Sequence, residues 1–306
     1  MRARPKSPHP LLIVLTLIAG WIAFPALADS APAVAAHDDG SRYTRGLLWR
    51  IESPGRPPSH LFGTIHSSDP RVVSLPAPVK QAFDRSGSFT MEMVTDGSAL
   101  VAMAETMFLG EGQTLRQITG DALYGEIREA LAARGLPEQG LEKQKPWVVL
   151  MTLSAPPNRG GMFLDLSLQL QATLAGKPVH GLESMQEQLA VFDELATEDQ
   201  VTLLRETVKA QREAEAQLEA LTRAWLARDL GQLMATVEKY RPEDARLYNT
   251  LMQRLLDDRN RRMAERMEAR LAEGNAFIAV GAAHLPGPDG LLALLARRGY
   301  RLTAVY

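Results

Sequence analysis

Phe277-Ile278-Ala279-Val280 runs directly into Gly281-Ala282-Ala283-His284, and His60-Leu61-Phe62 runs in the same way into Gly63-Thr64-Ile65-His66. Each is a short β-like run that ends in a Gly-x-x-His turn, placing a histidine where a buried strand leaves its sheet. Glycine permits the tight or positive-φ backbone such a turn can need. The C-terminal edge of a mostly parallel sheet is where α/β proteins gather ligands. Two such turns near opposite ends of one chain imply two halves converging on one site.

Working outward, Leu47-Leu48-Trp49-Arg50-Ile51 precedes the first turn across Ser53-Pro54-Gly55-Arg56-Pro57-Pro58, which reads as a hairpin. Val79, Ala82 and Phe83 then stand at helical spacing, and Ser88 to Met93 returns to a strand-like run. This reads as a compact β-α-β unit with a parallel pair and a right-handed crossover. Residues 98–153 look mainly helical, with breaks at Gly110-Glu111-Gly112, Gly120 and Gly135-Leu136-Pro137. Phe163 to Leu174 reads as another helix and Lys177 to Leu182 as another short strand. From Thr197 to Glu273 the pattern is almost wholly helical, interrupted near Arg228 to Gly231 and at Arg241-Pro242. Leu204, Val208, Leu218, Leu221 and Trp225 form a thin apolar stripe there, as on a solvated helix covering the core; a mobile lid or partner surface is the alternative. The strand Ala276 to Val280, a helix from about Asp289 to Arg298 and a last strand Arg301 to Val305 close the chain. The expected fold is therefore α/β, with a central mixed, partly parallel sheet, flanking helices and a long helical segment over the core. Residues 43–306 form a single domain in this reading, with a helical insertion at about 197–273.

The chain has 306 residues, 45% of them hydrophobic and 23% charged, with a net charge of −2. Dispersed basic residues supply no clustered positive field, which excludes nucleic acid as an expected partner. Arg2, Arg4 and Lys6 precede an apolar run from Leu11 to about Phe24 and then Ala26-Leu27-Ala28. This reads as a secretory signal over residues 1–28, and 29–42 as a flexible lead-in. An uncleaved anchor is the alternative, although the run is short for a bilayer span; no second stretch suits one. Export, periplasmic or extracellular, is the expectation, with no stable membrane span after signal removal. An exported chain without cysteines must hold any metal through nitrogen and oxygen ligands.

Acidic residues stand at matching strand ends. Glu92 follows Ser88-Phe89-Thr90-Met91, and Glu183 follows Val179-His180-Gly181-Leu182. A glutamate between Met91 and Met93 faces a large desolvation penalty unless an ion, an arginine or a proton compensates it. Glu183 precedes Ser184 at a helix start, so a capping role competes with a chemical one. Two imidazoles and one or two carboxylates around a divalent ion leave positions open for water, as hydrolytic metals require. A glutamate off the metal would then move the water proton. His60, His180 and His37 read as bystanders.

Phe62-Gly63-Thr64-Ile65-His66-Ser67-Ser68-Asp69-Pro70-Arg71-Val72, Met91-Glu92, Gly181-Leu182-Glu183-Ser184 and Val280-Gly281-Ala282-Ala283-His284-Leu285-Pro286-Gly287 resemble, in order, the motifs of the TraB/GumN family. The closing Gly290, Leu294 and Gly299-Tyr300 fit as well. The resemblance spans roughly residues 45–306. It implies an α/β fold shared with the Tiki proteins, which are metal-dependent proteases, and more remotely with erythromycin-esterase-like and ChaN-like proteins. It implies that His66, Glu92 and His284 hold the metal, and that Glu92, Glu183, Arg259 and Asn260 are the catalytic candidates. Arg259-Asn260 matches an arginine-asparagine pair common in the family, and Asp165 an aspartate ahead of the Gly-Leu-Glu motif. Arg259 is then available to stabilise an oxyanion or to orient a carboxylate. Read without the resemblance, Arg259 is a solvated helix arginine and Asp165 a structural residue.

The expected function is an exported hydrolase, chiefly a peptidase, using a water activated by Mn²⁺, Co²⁺ or Zn²⁺ on a peptide or small-molecule substrate. There is no His-Glu-x-x-His helix and no Gly-x-Ser-x-Gly elbow, so neither a zincin nor a serine hydrolase is indicated. A binding protein that captures peptides or small ligands without turnover, and an esterase on the same fold, are the competing readings.

Overall fold

The computed structural model describes residues 43–94, 106–156 and 161–306. The expected signal and lead-in, and the helical pattern at 98–105, lie outside the described residues. Six strands form one sheet: β1 (Leu48–Glu52), β2 (Ser59–Thr64), β3 (Ser88–Met91), β4 (Val179–Gly181), β5 (Ala276–Gly281) and β6 (Arg301–Ala304). Their order is β4-β3-β5-β2-β1-β6. The first hairpin and the β1–β6 pair are antiparallel, whereas β2–β5, β5–β3 and β3–β4 are parallel. The sheet is thus mixed and partly parallel, as its strand patterns suggest.

The β-α-β reading needs a correction. β2 and β3 run the same way, but they are not neighbours, because β5 enters between them and pairs Phe62 with Ala279 and Phe89 with Phe277. Every residue of β5 is buried. A strand apolar on both faces is most stable in mid-sheet, where both edges are paired and both faces are covered. A late strand therefore displaces the early neighbour.

The helices are α1 (Pro70–Val73), α2 (Ala77–Arg85), α3 (Leu115–Ala133), α4 (Pro146–Ser154), α5 (Leu164–Leu174), α6 (Met185–Asp193), α7 (Thr197–Ala210), α8 (Ala214–Leu226), α9 (Leu230–Lys239), α10 (Ala245–Met252), α11 (Asp258–Glu273) and α12 (Leu291–Arg297). Their starts follow local chemistry. Thr114 and Gln117 form a capping box on α3, Ser184 and Glu187 form another on α6, and Asp229 and Asp244 accept the orphan N–H groups of α9 and α10. Phe62, Phe89 and Phe277 share one sheet face, where Phe83 of α2 meets Phe277 edge-on at 5.3 Å between ring centroids.

The stripe expected on one long helix is divided between two, since a turn over Gln211–Glu213 separates α7 from α8. Leu204, Leu221 and Trp225 are buried, while Val208 and Leu218 are half-buried. Trp225 also packs edge-on against Phe62 and donates its indole N–H to the Gly63 carbonyl at 2.9 Å. The helical cover is therefore bonded directly to the turn that carries His66.

Candidate metal centre

Adjacent strands β2 and β5 end together, with Thr64 opposite Gly281. Their following turns deliver His66 and His284 to the same end of the sheet. Neither turn glycine is left-handed: Gly281 has φ −54° and ψ 135°, and Gly63 is outside the positive-φ set. What Gly63 supplies is space, because a Cβ there would stand 2.7 Å from Leu285 Cδ1 and 3.1 Å from Ala282 Cα. The two turns pack against each other at a distance only hydrogen allows.

Each imidazole is fixed by its Nδ1. His66 Nδ1 lies 2.8 Å from Asp165 Oδ2, while Thr64 Oγ1 donates to Asp165 Oδ1 at 2.5 Å. His284 Nδ1 lies 2.7 Å from Asn260 Oδ1. Asn260 Nδ2 donates to the Asp289 carbonyl at 2.9 Å, which orients the amide with its oxygen toward the ring. Both Nδ1 atoms thus face acceptors, so in a neutral ring the hydrogen sits on Nδ1 and the lone pair on Nε2. Both Nε2 atoms are buried and without a hydrogen-bond partner. Two buried imidazole nitrogens, their rings backed by a carboxylate and an amide, are the arrangement found behind metal-ligating histidines.

The carboxylates are organised by Arg259, which is 1% exposed. Its Nη2 donates to Glu92 Oε2 at 2.7 Å and to Glu183 Oε2 at 2.6 Å, and its Nε reaches Glu183 Oε2 at 2.9 Å. The Gly281 backbone N–H donates to Glu92 Oε1 at 2.6 Å. That oxygen lies 3.7 Å from His284 Nε2. Two donors, each about 2.1 Å from one tetrahedral ion, stand roughly 3.4 Å apart, so the spacing suits a shared cation. Among the described residues, no cluster of three or more His, Asp or Glu side chains already stands at ligand geometry. The fit rests on the paired bare nitrogens and on the spacing to Glu92.

The site is electrostatically uneven. Burial alone would lower the pKa of His66, but the Asp165 carboxylate and its hydrogen bond outweigh that and raise it. Burial opposes ionisation of Asp165 as well, yet His66 and then Thr64 hold its carboxyl below the usual range. His284 is pushed well below its ordinary value, first by burial, then by the positive charge of Arg259. His284 is thus held toward its neutral form, and His66 is the ring backed by negative charge.

Several readings of the sequence change here. Arg259 is not a solvated helix arginine: it is buried and bridges two glutamates, so its Nε and Nη2 donors orient carboxylates. Leu256, Met263, Met267 and Leu271 are buried on the same stretch as Arg259 and Asn260. Spacing of three and four from those apolar residues was the available signal that the pair faces inward. A single wide helical turn over Gln253–Asp257 leads straight into this pair. Glu183 is not a helix cap, because Ser184 caps α6, and its side chain is fully buried against Arg259 and Gln188. Asp165 holds His66 Nδ1; it is the only charged residue between Gly161 and Gly176, and that isolation on an apolar helix was its signal. Trp225, Thr64 and Gln188 carried no local signal, since their roles depend on partners far away in sequence.

The model of the TraB/PrgY/gumN family matches residues 47–304. The chain belongs to this family. Among curated relatives in it, Metalloprotease TIKI2 of Danio rerio is 28% identical over 311 residues, covering 84% of this chain and 60% of the relative. Metalloprotease TIKI1 of Homo sapiens is 26% identical over 310 residues, covering 84% and 61%. Uncharacterized protein YbaP of Shigella flexneri is 24% identical over 267 residues, covering 84% of this chain and 94% of that protein. The chain spans about three-fifths of the length of the Tiki relatives it matches. No solved structure matches the chain. The histidines and glutamates assembled at the sheet end fall within the residues matched by the family model.

Proposed function

We propose that this TraB/PrgY/gumN protein is an exported metal-dependent hydrolase that cleaves peptide bonds. The observation that carries this reading is the pair of buried, unpartnered Nε2 atoms of His66 and His284, each with its Nδ1 held from behind. His66, His284 and Glu92 would hold a divalent ion such as Mn²⁺, Co²⁺ or Zn²⁺. Such an ion, when bound, lowers the pKa of a water and polarises a carbonyl. Asp165 and Asn260 hold the two rings by their Nδ1 atoms and leave both Nε2 atoms for the ion. Arg259 fixes the Glu92 carboxylate, and Glu183 balances the charge of Arg259 in a place where water cannot. The family's Tiki members carry the name metalloprotease, which favours the peptide bond over an ester.

Export rests on Arg2, Arg4, Lys6, the Leu11 to Phe24 run and Ala26-Leu27-Ala28. Among the described residues no helix is long and apolar enough to cross a membrane. Mass spectrometry of the protein from its own cell envelope is expected to find an N-terminus after about Ala28.

The deciding experiment is metal analysis of protein purified without chelators, together with a peptide-mixture digest in which Mn²⁺, Co²⁺ or Zn²⁺ is restored. Bound metal and cleavage are both expected, and both are expected to vanish in His66→Ala and in His284→Ala while circular dichroism stays native. Tight peptide capture with no product from any metal-loaded sample would overturn the hydrolase and leave a binding protein.

A further inference from the structure

The two imidazoles are backed by different chemistry. His66 Nδ1 faces one oxygen of Asp165, and Thr64 Oγ1 donates to the other. A carboxylate accepts at both oxygens, so it supports the ring whichever way it lies. His284 Nδ1 faces an amide, Asn260 Oδ1, at 2.7 Å. An amide accepts at one end and donates at the other, so its support depends on its orientation. Turned over, Asn260 would offer Nδ2 to the ring, the imidazole hydrogen would move to Nε2, and that nitrogen would keep no lone pair for a cation. The protonated Nε2 would then face Glu92 Oε1, which lies 3.7 Å away. The site thus has two self-consistent arrangements, one open to a cation and one closed by an imidazole–carboxylate contact.

One contact chooses between them. Asn260 Nδ2 donates to the Asp289 carbonyl at 2.9 Å, and the turned amide would set Oδ1 against that same oxygen, acceptor against acceptor. Asp289 stands in the short connection from His284 to α12, which folds back on itself. Gly290 N–H donates to Gly287 O at 3.1 Å, and Leu292 N–H donates to Leu285 O at 3.3 Å. Arg297 Nη1 holds the outside of the fold by donating to Pro288 O at 2.7 Å.

Gly290 is what lets this connection close. A Cβ there would stand 2.1 Å from the Pro286 carbonyl oxygen and 2.5 Å from that of Leu285. Both obstacles are backbone atoms, so neither can swing aside as a side chain would. The φ of Gly290 is an ordinary −72°, so the constraint is space and not conformation. Any side chain at 290 must open the fold at its base, and Asp289, the adjoining residue, moves with it.

We propose that Gly290 is a positioning residue for the metal centre: by letting connection 285–290 close, it places the Asp289 carbonyl where it fixes the Asn260 amide, and so keeps His284 in the tautomer that can bind a cation. This deepens the metal-dependent reading and rests on it. His284 is then the conditional ligand of the pair, and His66, backed by a carboxylate, the unconditional one. Metal loading thereby depends on a connection whose outer face, at Pro288, is exposed to solvent.

The test uses the full chain, labelled with ¹⁵N-histidine and stripped with chelator. Nitrogen spectra of the apo protein separate a protonated from a bare ring nitrogen, and the signals that His284→Ala removes belong to His284. The parent is expected to carry the His284 hydrogen on Nδ1. Gly290→Ala is expected to move it to Nε2 and to weaken Zn²⁺ binding, measured against a chromophoric chelator, by about 10–100-fold, while the His66 signals stay in place. Gly290→Ala/Asn260→Asp is expected to recover most of that affinity, because a carboxylate accepts from Nδ1 whichever way it lies; a mere packing defect would not be repaired by a new buried charge. Arg297→Met, which removes only the exposed donor to Pro288 O, replaces Gly290→Ala if the latter does not fold, and is expected to shift both readouts the same way by a smaller factor. A His284 hydrogen that stays on Nδ1 in the folded variant, or a loss of affinity that Asn260→Asp does not restore, would overturn the proposal. The tautomer is read without metal, so the two ideas fail separately. A tautomer that moves in a protein that binds no Zn²⁺ sinks the metal reading alone, whereas Zn²⁺ binding by the parent with an unmoved tautomer sinks this inference alone.

Discussion

Arg259 is where the physics is most concentrated. Three buried ionic groups, Glu92, Glu183 and Arg259, share one contact, with bonds of 2.6 and 2.7 Å from a single guanidinium nitrogen. Such a set gains little stability over an apolar one, but removing a partner leaves charges buried without compensation, which costs about 3–5 kcal/mol. Arg259→Met is therefore expected to lower urea-denaturation stability by about that much, and adding Glu183→Gln to recover part of the loss. Arg259→Lys should behave nearly as badly as Arg259→Met, because one ammonium cannot reproduce the planar fork. A variant without Arg259 that is as stable as the parent would contradict the central role given to this ion set. Glu92 and the two histidines were legible from sequence because each follows a local apolar run. Arg259 was not, because Asp258-Arg259-Asn260-Arg261-Arg262 reads as solvent-facing until the buried side of the helix is known. Gly63 was legible as a needed glycine, though for the wrong reason: the constraint is the approach of Ala282 and Leu285, two hundred residues away.

The elements around the site behave as clamps. Trp225 on α8 donates to the carbonyl of Gly63 and packs on Phe62, so α8 cannot lift away without exposing that carbonyl. Trp225→Phe keeps most of the ring contact and removes the donor, leaving a buried acceptor unpaired, at about 1–3 kcal/mol. The expected result is a matching loss in denaturant stability and faster amide exchange in the turn from Gly63 to His66; unchanged exchange there would show that α8 does not hold the turn. On α7, Glu206 has a buried Oε2 without a hydrogen-bond partner. Burial first, and then the negative charge of Glu243, raise its pKa from 4.5 to about 6. The folded state therefore holds this proton more tightly than the unfolded chain does. Its contribution to stability is complete below about pH 4.5 and is lost as the pH rises through about 6. Glu206→Gln should flatten the stability profile across that window, and a slope that persists in this variant would assign it to another group. The helices themselves were readable, since capping residues and Pro or Gly breaks are local. The division of α7 from α8 was not, because Gln211-Arg212-Glu213 contains no helix-breaking residue.

At the scale of the molecule, the strand order explains why one site needs the whole chain. β5 inserts between β2 and β3, so the ends of three parallel strands bring together His66, Glu92 and His284, with Glu183 following β4 on the far side. Sequence could show that such strands exist, but not which neighbour each would choose, because pairing between segments more than two hundred residues apart is decided by tertiary packing. A cation bound at that junction ties early and late parts of the chain together in the folded state only, so its binding energy adds to folding energy. At a free-ion concentration about one hundred times the dissociation constant, the gain is about 2.7 kcal/mol. For a domain of this size that corresponds to a rise in Tm of roughly 5–10 °C. Thermal scans of chelator-treated protein are expected to shift upward by this amount as Zn²⁺ or Mn²⁺ is titrated in, independently of any turnover. The shift should be lost in His66→Ala and His284→Ala, and it should need about 10–100 times more metal in Asp165→Asn, whose imidazole loses its carboxylate support. A shift that survives in the double histidine variant would place the ion elsewhere, and the convergence of β2 and β5 would then be a packing solution rather than a ligand cage.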